Sequence, residues 1–163
     1  RNYTLENAHA IEDAGASWLT VHARTKAEGY TPPAYWDQLK PIRDALKINV
    51  IANGEIWNNA DAKQCQIESG CEDLMIGRGA VTTPDITQCI RQNTDQPLLT
   101  WNELLALQIR FLNGSYKKET NMVGRYKQWL GMMSKHYPEA KELWGEVKRI
   151  KQLEEIVKIL QPI

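Results

Sequence analysis

The chain has 163 residues, enough for one domain or two small ones, and its 42% hydrophobic and 25% charged content is ordinary for a globular protein. No apolar run approaches the roughly 20 residues that cross a bilayer, and three cysteines (Cys65, Cys71, Cys89) without CxxC spacing suggest neither disulfides nor zinc, which suits a reducing, cytoplasmic setting. The net charge is zero, yet residues 1–100 carry 9 Lys and Arg against 13 Asp and Glu while residues 101–163 carry 11 against 7, a split that marks a separate basic module.

The opening "RNYTLENAHA" has no initiator Met and no signal-peptide pattern, and it reads as the middle of a longer protein. "TLENAHAIEDAG" has helical spacing through Leu5, Ala8 and Ile11, with Thr4 as an expected N-cap and Gly15 as a stop. "SWLTVHA" predicts a short strand, and the polar loop "RTKAEGYTPPA" follows it. "YWDQLKPIRDAL" returns to helical spacing, and "INVIANGEI" predicts a second strand. "NNADAKQCQIESG" predicts a helix capped by an Asn and stopped by Gly70. "EDLMIGRGA" predicts a third strand, and "TPDITQCIRQ" a helix with Pro in its first turn.

Continuous apolar strands alternating with helices predict a parallel sheet covered on both faces. The strand ends at His22, Asn53 and Gly77 lie 31 and 24 residues apart, close to one βα unit each, as in a (β/α)8 barrel or a doubly wound sheet. From Trp101 the pattern changes. "WNELLALQIRFL", "NMVGRYKQWLGMMSKHY" and "EAKELWGEVKRIKQLEEIVKIL" each predict a helix, with "NTDQPLLT" as linker and Thr100 as a cap. The expected division is residues 1–95 as an α/β portion and residues 101–163 as an all-helical domain.

Ligands of parallel α/β folds sit at the carboxyl ends of the strands. Here those ends read "VHART", "ANGEI" and "IGRGA". Taken singly, His22 suits a structural role, Asn53-Gly54 a turn, and Gly77-Arg78-Gly79 a tight bend with a solvated arginine. At the same end of consecutive strands they suit an anion cradle, in which Gly54 and Gly77 free the backbone and Arg78 adds a forked cation.

These motifs, followed by a basic helical tail, resemble the second half of a tRNA-dihydrouridine synthase, and "NMVGRYKQWLGMM" is most similar to the bacterial C-type branch, which acts on the D-loop at position 16. The resemblance covers almost the whole chain. It implies about three βα units from the C-terminal part of a (β/α)8 TIM barrel, then an all-helical domain. It also implies FMN as cofactor, NADPH as reductant and tRNA as substrate, in an otherwise monomeric enzyme with no membrane and no metal. Asn53, Gly54 and Glu55 would contact FMN, Gly77 and Arg78 would hold its phosphate, and His22 would reach the flavin. The glycine usual after that histidine is Ala23 here. The catalytic cysteine of the family lies in an N-terminal half that this chain lacks, and Cys65, Cys71 and Cys89 do not match it. The chain by itself would then be inactive.

Between residues 108 and 136 six basic residues face one acid, Glu119, with Tyr116, Tyr126 and Trp129 interleaved. Basic groups beside aromatics suit an RNA backbone and its bases. Arg125, Lys127, Lys117 and Lys118 are the expected tRNA contacts, together with Tyr30 from the loop after the first strand. Two other readings share these features. One is a phosphate-binding TIM-barrel enzyme acting on a phosphorylated small metabolite; the other is a non-catalytic fragment that only binds RNA.

Overall fold

The computed structural model describes residues 3–114 and 122–160. The chain folds as two compact units, Arg1–Ala80 with Ile86–Gln96, and Val81–Asp85 with Pro97–Ile163.

In the first unit, α1 (Thr4–Asp13) leads into β1 (Trp18–His22). A 3-10 turn (Trp36–Leu39) and α2 (Lys40–Ala45) then precede β2 (Asn49–Asn53). After α3 (Asn59–Ser69) come β3 (Leu74–Met75), the short α4 (Arg78–Thr82), whose last two residues are counted with the second unit, and α5 (Ile86–Arg91). The strands form one parallel sheet in the order β1-β2-β3. His22 stands opposite Asn53, and Asn53 opposite Met75. This is an α/β arrangement with a small parallel sheet, as expected, and it is consistent with part of a TIM barrel.

The core of this unit forms where α2 and α3 cover β2. Val50 and Ala52 are buried with Leu39, Ile42, Ala62 and Cys65. Each large aliphatic side chain so buried contributes about 1.5–3 kcal/mol. The Asn58 side chain accepts from Asp61 N at 2.8 Å to cap α3, and Gly70 closes it in the left-handed region at φ +69°.

Four local expectations are corrected. β1 is not buried on both faces: Trp18 is 62% exposed, because β1 is an edge strand paired only with β2 among the described residues. Thr4 is the first residue of α1 and not its cap. Pro84 lies outside α5, and Asp85 beside it accepts from the backbone N–H groups of Leu98 and Leu99. The third strand ends at Met75, two residues short of Gly77, and Arg78 begins α4. β2 turns away at Gly54 (φ +128°) and Glu55 (φ +53°), so β3 has no partner to follow beyond Asn53.

The second unit holds α6 (Trp101–Asn113), α7 (Met122–Met133), α8 (Pro138–Val147) and α9 (Leu153–Leu160). Thr100 and Glu103 form a reciprocal capping box on α6. The core gathers Leu104, Leu112, Tyr126, Leu130, Met133, Val147 and Ile156, all fully buried. The expected single helix from Glu139 to Leu160 is in fact two. The Lys127 ammonium donates to the carbonyls of Lys148 and Ile150, which holds the turn between α8 and α9 open. Tyr126 is likewise a core residue, not an aromatic offered to RNA.

Candidate functional site

The parallel register explains how the site is assembled. With His22 opposite Asn53, the residues two further along each strand, Arg24 and Glu55, also become neighbours, and Arg24 Nη2 donates to Glu55 Oε1 at 2.8 Å. From the next βα unit Arg78 reaches the same oxygen, its Nη2 at 2.5 Å. Trp57 Nε1 donates to the other carboxylate oxygen, Oε2, at 2.9 Å. Glu55 is therefore the hub of the site. Burial works to raise its pKa, but the Trp57 and Arg24 hydrogen bonds and the charges of Arg24 and Arg78 outweigh it, and the carboxyl lies below the ordinary glutamate value.

Arg78 is flanked by two rings: its Cζ lies 4.7 Å from the centroid of Tyr30 and 5.1 Å from that of Trp57. Asn53 Nδ2 donates to Met75 O at 2.6 Å, tying β2 to β3 where the sheet ends. Trp36 Nε1 donates to Gly54 O at 2.8 Å, and Tyr35 N to Ala23 O at 2.8 Å, which fastens the far end of the loop after β1 to the strand ends.

The sequence-predicted residues His22, Asn53, Gly54, Glu55, Gly77 and Arg78 line one cleft of about 260 Å³, and Tyr30 lines it with them. The two glycines of "GRG" differ. Gly77 has open space where a side chain would begin, with nothing within 4 Å, whereas Gly79 backs onto the Ile56 main chain. The sequence reading missed Arg24 and Trp57 as part of this constellation. In the sequence Arg24 is legible only as part of the strand end "VHART". The side chain of Trp57 meets that of Glu55 because β2 ends in a left-handed turn.

Among the RNA-directed residues, Arg125 is exposed on α7, and the half-buried Lys127 also donates to the carbonyls of Lys148 and Ile150 in the α8–α9 turn. Lys117 and Lys118 lie outside the described residues. The three cysteines are buried, and burial pushes the Cys65 thiol up to about 12, far from the range of a working acid. Among the described residues no helix is long and apolar enough to cross a membrane.

The sequence matches the profile of the dihydrouridine synthase (Dus) family over residues 1–162. The chain belongs to that family. It is 42% identical over 159 residues to a protein of Shewanella oneidensis named tRNA-dihydrouridine(16) synthase, covering 96% of this chain and 50% of that relative. A protein of the same name from Pseudomonas putida is 43% identical over 150 residues, covering 89% of this chain and 46% of the relative. The Escherichia coli protein of that name is 39% identical over 162 residues, covering 98% and 51%. The chain spans about half the length of the curated relatives it matches, and it aligns with their C-terminal half.

Proposed function

We propose that this chain is the C-terminal half of a tRNA-dihydrouridine synthase acting in the cytoplasm, with FMN as cofactor and NADPH as reductant, and that the uridine reduced is the one at position 16. Residues 1–95 supply three βα units of a (β/α)8 barrel, and residues 101–163 a helical tRNA-binding domain. The observation that carries this reading is the cleft at the strand ends. Membership of the dihydrouridine synthase family gives it a chemistry.

The residues present fit a flavin phosphate. Beside Gly77 there is room for a ligand atom where a Cβ would stand, and the partly exposed guanidinium of Arg78 lies next to it. Arg78 binds and orients the phosphate, Gly77 lets it come close, and Asn53, Gly54, Glu55 and His22 face the rest of the cofactor. When bound and reduced, the flavin supplies the hydride for C6 of the uridine. The proton for C5 comes from an acid outside this chain, since the cysteines here are buried. Tyr30 stands beside Arg78 at the open side of the cleft, 74% exposed, where a nucleotide can pack on it. Arg125 and Lys127, with Lys117 and Lys118, are assigned to the tRNA backbone.

The test is the visible spectrum of the intact protein purified without added cofactor. Flavin bands that bleach with NADPH and return when tRNA is added are the expected result. A colourless protein that also refuses FMN would move the cleft to a phosphorylated metabolite.

A further inference from the structure

We propose that Arg24 is a positioning residue for the anion grip: it holds Glu55 in place and cancels its charge, so that Arg78 can turn its donors to a phosphate. The inference rests on the reading of Arg78 as the phosphate ligand.

Both guanidiniums use Nη2 on one oxygen, Glu55 Oε1, but their surroundings differ. The Arg24 side chain is fully buried, whereas that of Arg78 is 38% exposed at the cleft. Arg24 Nε and Nη1 are buried without a hydrogen-bond partner, and Glu55 is the one ion pair Arg24 makes among the described residues. Glu28 feels the charge of Arg24 from further off, but Glu55 is the carboxylate that Arg24 hydrogen-bonds, and leaving it would strand a buried charge.

The charge count gives this pairing a purpose. Arg24, Glu55 and Arg78 together carry one net positive charge. Without Arg24 the remaining pair is neutral, and an incoming phosphate would have to take Arg78 from a carboxylate that has no other cation, then lie beside that carboxylate. With Arg24 present, Glu55 keeps its buried partner and the Trp57 indole while Arg78 is drawn off. The effect is specific to anionic ligands, and a merely structural role would not be.

The measurement is the dissociation constant of FMN and of riboflavin, by flavin fluorescence, on the flavin-stripped intact protein. The unaltered protein binds FMN more tightly than riboflavin. Arg24→Gln is expected to weaken FMN by about tenfold or more, the worth of a charge-assisted hydrogen bond, with riboflavin changed much less. Arg24→Lys keeps the charge and retains most of the FMN preference. The double variant Arg24→Gln with Glu55→Gln restores the net positive charge and regains much of it. Equal weakening of both flavins, an unchanged preference in Arg24→Gln, or a preference lost in Arg24→Lys would each overturn the inference. If Arg24→Gln does not fold, Arg24→Lys and the double variant still decide it. An unaltered protein without any preference for FMN would instead refute the phosphate grip at Arg78, and the inference with it.

Discussion

A Cβ added to Gly79 would stand 2.1 Å from the carbonyl oxygen of Ile56, a distance that no rotamer change relieves because both partners are main chain. Gly79 is thus required by the fold, and Gly77 is not. Gly79→Ala is expected to destabilise the protein by about 3 kcal/mol. Gly77→Ala should change stability by less than about 0.5 kcal/mol and weaken FMN binding. Urea unfolding and flavin titration of the two variants separate these outcomes, and a tolerated Gly79→Ala would refute the close approach.

The Glu55 carboxyl makes stability depend on pH in a definite direction. Its pKa is lowered in the folded state, so its contribution is present above the unfolded value, about 4.3, and is lost as pH falls through the folded value. Glu55→Gln leaves Arg24 a buried, uncompensated cation and should cost about 3 kcal/mol at neutral pH. The gap should narrow in acid, where the unaltered protein also loses the carboxylate. Unfolding midpoints compared at about pH 7 and about pH 3 check the sign.

Within the helical unit the Tyr126 hydroxyl donates to Gln108 Oε1 at 2.8 Å, and both side chains are fully buried. Tyr126→Phe strands the amide oxygen and should cost about 1–3 kcal/mol. Pairing it with Gln108→Leu removes both polar partners and should recover much of that loss. A double variant no better than the single one would show that the pair is not coupled.

Thr100→Ala removes half of the capping box on α6 and should lower stability by about 1 kcal/mol. Thr100→Ser keeps the oxygen and should lie close to the unaltered protein in thermal unfolding.

Arg125 and Lys127 should separate by readout. Arg125→Ala is expected to weaken tRNA binding and to reduce the salt slope of log K by about 1. Lys127→Met removes the donor to the Lys148 and Ile150 carbonyls, so it should lower stability by about 1 kcal/mol as well. A Lys127→Met protein of undiminished stability would count against the role of Lys127 in the turn.

Much of this protein was legible along the chain. The Asn58 cap, the Gly70 stop, the Thr100 cap and the strand ends at His22 and Asn53 all depend on residues a few positions apart, so local pattern suffices to find them. The sequence also placed His22, Asn53, Gly54, Glu55, Gly77 and Arg78 at strand ends facing a common ligand, and the structure brings them to one cleft. What it left open were decisions taken between distant residues. The apolar spacing through Val147, Ile150 and Leu153 fits one helix as well as two, and the choice falls to Lys127 on another helix. Arg24 and Glu55 are 31 positions apart, and nothing near either announces the other. They meet because β1 and β2 pair in parallel with His22 opposite Asn53, and the charge of the site follows from that register.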